Sequence, residues 1–289
     1  MVKSAFIGLG VMGYPMAGHL VSAGYEVVVY NRTASKADAW ITDYGATSAS
    51  DPANAAANAE YVFVCVGGDD DVRAVTLADD GVFAAMKPGT VLVDHTTVSA
   101  DLARQLYAEA AKLDIGFVDA PVSGGQSGAE NGTLTVMCGG DVEVFERVKP
   151  AIQSYAANVA LLGGPGSGQL TKMVNQICIT GLLQALAEGI YFACHAGLNV
   201  EQVVDTISQG AAGSWQMVNR GITMACGEFD FGFALDLMRK DLAICFEEAQ
   251  RIGAPLPVTA IVDRFYARLQ RMGKGHWDTS ALIELLKDN

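Results

Sequence analysis

Hydrophobic positions in the first half of the chain fall in short runs that alternate with helical stretches. Apolar runs rich in Val, Ile and Phe occupy 4–10, 26–31, 61–66, 90–96 and 116–122. Continuous runs of this kind predict strands that are buried on both faces. Segments with helical periodicity lie between these runs, at 14–23, 35–44 and 101–113. The alternation predicts an α/β fold with a doubly wound parallel sheet.

The pattern changes after the glycine-rich segment GGPGSG at 163–168. The sheet pattern ends with strands at 133–141 and 158–164, which enclose a helix over 142–155. Beyond this segment the chain predicts one long apolar helix over 169–196, followed only by stretches of helical period. We therefore expect a sheet domain at 1–163 and an all-α C-terminal domain at 164–289, joined by a long interdomain helix.

Composition narrows the classes of partner. The 289 residues carry a formal net charge of −13, which argues against binding to nucleic acid or to an anionic membrane surface. No uncharged apolar run reaches the roughly 18 residues that span a bilayer, and Gly8, Gly10 and Gly13 interrupt the apolar N-terminus. We expect no targeting segment, a cytoplasmic location and a small-molecule ligand.

The cysteines and histidines show no metal-ligand pattern. The six cysteines are widely spaced, contain no Cys-x-x-Cys pair and suit a reducing compartment. The four histidines have no ligand spacing either. We expect no metal site.

The segment after the first predicted strand has the spacing of a dinucleotide-binding loop. It is a Gly-x-Gly-x-x-Gly motif made of Gly8, Leu9, Gly10, Val11, Met12 and Gly13. Between a strand and a helix, such glycines permit a tight turn, close approach of a pyrophosphate, and close packing of the helix. The position predicts a Rossmann-type nucleotide site. The alternative is a glycine-rich turn without a ligand.

The end of the second predicted strand favours NADP(H) over NAD(H). An NAD site usually has an acidic residue there, about 20 residues after the loop, to bind the ribose 2′-hydroxyl. This chain has Asn31, Arg32 and Thr33 instead. A guanidinium and a hydroxyl suit a 2′-phosphate, which an acidic group would repel. In the alternative, Arg32 is solvated and NAD(H) is also used.

Two further segments carry candidate chemistry. Ser123, Gly124 and Gly125 follow a predicted strand, at the edge where ligands of such sheets bind, and glycine backbone N–H groups can hold a carboxylate. Lys172 and Asn175 share one side of the long helix, near its N-terminus, where the dipole disfavours a cation. Taken alone, Ser-Gly-Gly is more often a turn, and Lys172 more often reaches solvent with its ammonium group.

Four segments in order resemble the β-hydroxyacid dehydrogenase family, which includes 3-hydroxyisobutyrate dehydrogenases and tartronate semialdehyde reductases. They are IGLGVMGYPMAGHL, DAPVSGG with GTLTVMCGGD, GQLTKMVNQ, and DLMRKDLAI, and the resemblance extends over nearly the whole chain. It implies that Lys172 is catalytic, that Ser123, Gly124 and Gly125 contact the substrate carboxylate, and that Asn175 helps to position the substrate.

The resemblance also implies roles for residues that no local pattern marks. Thr97 matches a threonine near the nicotinamide ribose, and Lys240 matches a lysine at the cleft for cofactor and substrate. The alternative interpretations are that Thr97 is only a hydroxyl residue at a strand end, and that Lys240 is a solvated lysine on a helix. Trp215 and Phe231 are candidates for the wall of the substrate pocket, although packing in the core or at a subunit contact explains each equally well.

The chain departs from the family pattern at two places. Many members have Leu-Pro after the third long strand, where this chain has Val66-Gly67-Gly68 followed by three aspartates at 69–71. The family's side-chain contacts cannot be transferred there, so only the backbone of Cys65 and Val66 is expected to contact the cofactor. Gln176 replaces the second asparagine that often follows Asn175.

Together these features predict an oxidoreductase that transfers a hydride between NADP(H) and a small β-hydroxyacid or its semialdehyde. Lys172 would serve as general acid and base. The alternatives are an NADPH-dependent imine reductase, whose members generally lack that lysine, and a non-catalytic dinucleotide-binding protein. The apolar long helix further predicts a homodimer or homotetramer.

Overall fold

The computed structural model describes residues 1–287, and these fall into two compact units. The first unit is Met1–Lys172 and the second begins at Met173. Helix α8 (Ser167–His195) contributes its first residues to the first unit and the rest to the second. Each unit has its own buried core.

The first unit is built on a nine-stranded sheet. Its strands are β1 (Lys3–Ile7), β2 (Glu26–Tyr30), β3 (Thr47–Ser48), β4 (Tyr61–Val64), β5 (Val91–Asp94), β6 (Gly116–Asp119), β7 (Val122–Ser123), β8 (Leu134–Gly140) and β9 (Ala156–Leu161). The order is β3-β2-β1-β4-β5-β6-β8-β7, with β9 paired to β8. This confirms the predicted fold class.

Strand direction changes at β8. The six strands from β3 to β6 pair in parallel, whereas β8 runs antiparallel to β6 and to β7. After Ser123 the chain reverses direction, so that β8 runs back beside β6 and β7. Strand β9 then lies parallel to β8. All carboxyl ends from β1 to β6 therefore meet at one edge of the sheet.

Helices cover both faces of this sheet. They are α1 (Gly13–Ser22), α2 (Ala34–Tyr44), α3 (Pro52–Ala56), α4 (Asp69–Leu77), α5 (Ala100–Lys112), α6 (Gly125–Glu130) and α7 (Val142–Ile152), with a 3₁₀ turn at Val82–Ala84. Phe6 belongs to the core on one face and Ile7 to the core on the other. Successive residues of a strand point to opposite faces, which explains why β1 is apolar throughout.

The second unit is helical. After α8 come α9 (Val200–Ile207), α10 (Trp215–Cys226), α11 (Leu235–Ile252) and α12 (Pro257–Arg271), followed by a 3₁₀ segment at Thr279–Leu286. The sequence pattern did not predict α10. It predicted a segment of helical period at 280–289, where the structure has the 3₁₀ segment. Residues 288–289 of that prediction lie outside the described residues. Asp278 begins that segment by accepting hydrogen bonds from the backbone N–H and hydroxyl of Ser280.

Helix α8 has the length and hydropathy of a membrane span, with a mean hydropathy of 1.6 over its most apolar window. The core helix of a soluble protein passes the same test. Lys172 and Glu188 bound its uncharged stretch. About one third of the window is buried within the chain (33%), so much of its apolar surface is exposed.

Candidate active site

The glycine loop after β1 is shaped by close backbone contacts. Gly8 has a φ of +101°, and a Cβ atom there would lie 2.2 Å from the carbonyl oxygen of Cys65. A Cβ on Gly13 would lie 2.0 Å from the carbonyl oxygen of Gly8. A Cβ on Gly10 would meet nothing within 4 Å. The first and third glycines are thus required for packing, while the second borders open space of the kind that a pyrophosphate needs, so the loop fits a dinucleotide.

Asn31 joins the end of β2 to this loop. Its Oδ1 accepts a hydrogen bond of 2.9 Å from the backbone N–H of Leu9, and its Nδ2 donates to the carbonyl oxygen of Thr33 over 3.0 Å. The side chain predicted to face the cofactor therefore also fixes the loop. Thr33 is the N-cap residue of α2, but its hydroxyl makes no capping hydrogen bond.

Arg32 is engaged by an acidic residue from another element. Its Nη1 lies 3.1 Å from Oδ1 of Asp71, in the first turn of α4. The Arg32 side chain is 86% exposed and that of Asp71 is 38% exposed. The sequence marked Arg32 but gave no indication of this partner.

The ends of β4 and β5 lie beside the glycine loop. The backbone N–H of Cys65 donates to Ile7, and that of Val66 donates to the hydroxyl of Thr96 over 3.1 Å. Thr97, the threonine singled out by the family resemblance, is half-buried at the same strand end. Thr96, its neighbour, was missed; only the three-dimensional contact with the β4 loop reveals it.

Ser123, Gly124 and Gly125 form a turn that demands glycine. Ser123 ends β7; Gly124, the N-cap residue of α6, has a φ of +132°, and Gly125, the first residue of α6, has a φ of +61°. Non-glycine residues rarely adopt such angles. The turn follows the carboxyl end of β6, so it belongs to the same edge as the glycine loop.

The N-terminal turn of α8 is held by a buried carboxylate. Asp119, at the end of β6, accepts hydrogen bonds from the backbone N–H of Gly166 (2.8 Å, Oδ1) and of Gln169 (2.9 Å, Oδ2). A Cβ on Gly168 would lie 2.4 Å from the carbonyl oxygen of Met137, so the helix start packs directly on the sheet. Lys172 follows one turn later and is 8% exposed.

The Gln169 side chain ties this turn to the loop after β5. Its Nε2 donates to the carbonyl oxygen of Thr96 (2.8 Å) and its Oε1 accepts from the backbone N–H of Val98 (3.1 Å). Gln169 is fully buried. Asp119 and Gln169 thus connect the base of the Lys172 helix to the loop that carries Thr97, and neither was predicted as a site residue.

Two carboxyl groups lie side by side beneath this arrangement. Asp94 and Asp119 are register partners on β5 and β6. Burial raises the pKa of Asp94 to about 7, against hydrogen bonds from Thr96 that lower it. Burial likewise raises the pKa of Asp119 to about 6, although hydrogen bonds from the backbone N–H groups of Gly166 and Gln169 oppose the shift. Desolvation disfavours the charged form of a carboxyl group.

His95 is not a free base at this edge. One ring nitrogen is 2.7 Å from the carbonyl oxygen of Ala120 and the other 2.8 Å from the Tyr155 hydroxyl. Burial lowers its pKa to about 4, so the ring is neutral near pH 7. Its role is to brace β5 against the neighbouring elements.

In the second unit, a buried carboxylate connects two predicted residues. Asn175 Nδ2 donates to Gln176 (2.8 Å), and Gln176 Nε2 donates to Oδ2 of Asp241 (2.6 Å). Lys240 Nζ lies 3.2 Å from the other oxygen, Oδ1, at an ion-pair distance but outside hydrogen-bond geometry. The replacement of asparagine by Gln176 therefore supplies a link, and Asp241 is a further residue that the sequence did not mark.

Trp215 and Phe231 flank a single guanidinium group in the second unit. The carbon centre of Arg220 lies 5.0 Å from the Trp215 ring and 4.9 Å from the Phe231 ring. Its Nε donates to buried Asp278 over 3.1 Å. Both rings remain partly exposed. They are therefore not core residues of this chain.

Comparisons with known proteins agree with this layout. Residues 3–164 match the family described as the NAD binding domain of 6-phosphogluconate dehydrogenase. Residues 166–286 match the family described as NAD-binding of NADP-dependent 3-hydroxyisobutyrate dehydrogenase.

Individual relatives match along almost the whole chain. It is 57% identical to an oxidoreductase of Shewanella frigidimarina, with 99% of both chains covered. It is 41% identical to the probable 3-hydroxyisobutyrate dehydrogenase-like 1 of Arabidopsis thaliana, covering 99% of this chain and 85% of the relative. A structure of Mycobacterium tuberculosis 3-hydroxyisobutyrate dehydrogenase with L-serine superposes with a TM-score of 0.88 at 30% identity, covering 99% of each chain.

Proposed function

The chain belongs to the β-hydroxyacid dehydrogenase family of NAD(P)-dependent oxidoreductases, and from this premise we propose that it transfers a hydride between NADP(H) and a small β-hydroxyacid or its semialdehyde. Substrates of the 3-hydroxyisobutyrate, glycerate or 4-hydroxybutyrate type share a carboxylate and a terminal alcohol or aldehyde. The observation that carries the proposal is the buried Lys172, one turn beyond an anchored helix start.

The nicotinamide cofactor, when bound, supplies or accepts the hydride. We assign its pyrophosphate to the loop from Gly8 to Gly13. The adenosine end is assigned to Asn31, Arg32 and Thr33, and the remaining contacts to Cys65, Val66, Thr97 and Lys240. The open space beside Gly10 supports the first assignment.

Lys172 manages the proton of the substrate oxygen. In reduction its ammonium group donates a proton to the developing alkoxide, and in oxidation its neutral amine accepts the proton of the hydroxyl group. The hydrogen bonds of Asp119 and Gln169 hold the turn that precedes it.

We assign the substrate carboxylate to Ser123, Gly124 and Gly125, with Asn175 and Lys240 as further substrate contacts. The positive φ angles of the glycine pair turn the backbone sharply, which supports a role in anion binding. The Gln176–Asp241 hydrogen bond supports a fixed position for Asn175 and Lys240 within their unit. L-serine, present with the M. tuberculosis relative, also combines a carboxylate with a terminal hydroxyl.

We further propose a homodimer or homotetramer in the cytoplasm. The apolar face of α8 supports self-association, because only 33% of its most apolar window is buried within the chain. The six cysteines lie within residues 1–287 and form no disulfide bond there, which suits a reducing compartment.

The function is tested by following nicotinamide absorbance with a panel of hydroxyacids, semialdehydes and imines, using both cofactors. We expect turnover of at least one hydroxyacid and semialdehyde pair. Lys172→Ala should lower kcat by about 10²- to 10⁴-fold, the usual contribution of a general acid–base group, while NADPH affinity stays unchanged.

Lys112→Ala is the matched control, because Lys112 is an exposed lysine of α5 paired only on the surface with Glu109. Near wild-type turnover of Lys172→Ala would refute the assigned role. Reduction of imines without any reduction of aldehydes would identify the protein as an imine reductase.

A further inference from the structure

We propose that Asp71 is a second determinant of cofactor choice, because its carboxylate competes with the 2′-phosphate of NADP(H) for Arg32. The protein would then bind NAD(H) as well as NADP(H). Its preference for NADP(H) would be smaller than the preference that Arg32 alone would give. This inference rests on the proposed use of a nicotinamide dinucleotide by the glycine loop.

The pair bridges two strand ends that flank the glycine loop. Arg32 follows β2 and Asp71 lies in the first turn of α4, after β4. The sheet order places β1 between β2 and β4. The 3.1 Å contact between Nη1 and Oδ1 therefore joins the two sides of the strand whose loop carries Gly8, Gly10 and Gly13.

Glycine at position 67 makes room for the acidic partner. A Cβ atom on Gly67 would lie 2.3 Å from Oδ2 of Asp71, so a side chain there would displace the carboxylate. This is the segment where many family members have Leu-Pro. The departure from the family pattern thus has a structural consequence: it admits an acidic group beside Arg32.

The neighbouring aspartates have other roles. Asp69 accepts hydrogen bonds from the backbone N–H and the hydroxyl of Ser99, at 3.0 and 2.6 Å. Asp70 is exposed. Asp71 is therefore the member of the triplet that pairs with the arginine, and its charge acts on the guanidinium group that we assign to the 2′-phosphate.

Charge balance decides the direction of the effect. Arg32 is well exposed, so its guanidinium can turn to a phosphate, and exposed ion pairs are weak. The 2′-phosphate must nevertheless displace the Asp71 carboxylate from Arg32 and then bind next to that negative charge. The repulsion between the two anions lowers the net binding free energy that the phosphate contributes. A ribose hydroxyl meets no such repulsion and can donate to a carboxylate, the role that an acidic residue at the end of β2 usually plays.

The test compares dissociation constants of NADPH and NADH by fluorescence titration of the purified full-length protein. Asp71→Asn should tighten NADPH binding by about 2- to 5-fold, the range expected for removing an exposed competing charge. NADH binding should stay the same or weaken. Asp70→Asn is the matched control, since it removes an equal charge from the adjacent position and should leave the NADPH to NADH ratio within about 1.5-fold of wild type.

A second pair of variants tests whether Arg32 mediates the effect. In an Arg32→Ala background, Asp71→Asn should lose most of its benefit for NADPH, because nothing remains to compete for. An equal benefit in both backgrounds, an equal effect of Asp70→Asn, or no effect of Asp71→Asn would each overturn the inference. Binding of neither cofactor by the wild type would refute the proposed function itself, which a failure of Asp71→Asn alone would not.

Discussion

At the scale of single residues, the buried carboxyl group of Asp94 makes the free energy of unfolding depend on pH. Asp94 is fully buried, and its Oδ1 accepts from the backbone N–H of Thr96 over 2.9 Å. Burial raises its pKa from 3.8 to about 7. Between these values the folded protein holds a proton that the unfolded chain has lost. The free energy of unfolding therefore falls as the pH rises through this window, and the cost is fully present above the folded pKa.

Asp94→Asn removes this ionisation while keeping the shape of the side chain. We expect the variant to gain stability relative to wild type as the pH rises from about 4 to 8, by roughly 1–4 kcal/mol, from a shift of about three pKa units at most. Urea unfolding of both proteins across that range measures the difference.

Asp51→Asn is the control for that experiment. A hydrogen bond from the backbone N–H of Asn54 lowers the pKa of Asp51. The stability that ionised Asp51 contributes is therefore fully present above the ordinary pKa of an aspartate. Its difference from wild type should not change between about pH 5 and pH 8. A flat difference for Asp94→Asn as well would contradict the assignment.

At the scale of elements, the start of α8 is anchored by groups far away in sequence. The carboxylate of Asp119 takes the place of an N-terminal cap, since it accepts two backbone N–H groups at the positive end of the helix dipole. Gln169 adds contacts with the loop after β5. Lys172 lies only three residues beyond Gln169, so the anchor determines where its side chain begins.

Asp119→Asn should loosen this anchor. One oxygen becomes an N–H donor that faces a backbone N–H, which leaves a buried donor unsatisfied at a cost of about 1–3 kcal/mol. We expect lower stability and a kcat reduced by at least about 10-fold, because small displacements of a reacting group are costly. NADPH affinity should change little. Denaturant unfolding and steady-state kinetics measure both effects.

Asp141→Asn is the comparison, since Asp141 is the N-cap residue of α7 and its side chain makes no capping hydrogen bond. This variant should stay within about 0.5 kcal/mol of wild type. A loss of stability in Asp119→Asn with unchanged kcat would show that the anchor supports the fold but not the position of Lys172.

At the scale of the whole molecule, the exposed apolar surface of α8 is the feature that a single chain leaves uncovered. Phe192 is 72% exposed and Val174 is 60% exposed, in a helix whose most apolar window is one-third buried. Exposed patches of this kind mark association surfaces. Because a symmetric dimer brings the same patch of two chains together, one helix can supply both sides of the contact.

Phe192→Glu should therefore weaken self-association. We expect sedimentation velocity to show a homo-oligomer for wild type and a lower mass, or a concentration-dependent mixture, for the variant. Met272→Glu is the control, because Met272 is an exposed apolar residue that follows α12 and is not part of α8. A wild-type protein that sediments as a single chain would refute the proposed oligomer.

The sequence alone was sufficient to predict the longer strands and helices of the first unit, the glycine loop and the family. These features are local: apolar runs specify buried strands, and Gly8 and Gly13 are needed within one turn. The short elements β3, β7, α3, α4 and α6 escaped notice because they are too brief to show a period. The direction of β8 depends on pairing with distant strands, which periodicity does not encode.

Tertiary structure decided which side chains support the candidate site. Asp119 and Gln169 are 50 residues apart, Thr96 and Gln169 are 73 apart, and Arg32 and Asp71 are 39 apart. No local rule links such positions. They meet because parallel strands bring their carboxyl ends to one edge, where loops from separate crossovers come into contact. The local sequence pattern therefore determined the main strands and helices and the glycine loop. The packing of distant segments decided which residues contact Arg32 and the start of the helix that carries Lys172.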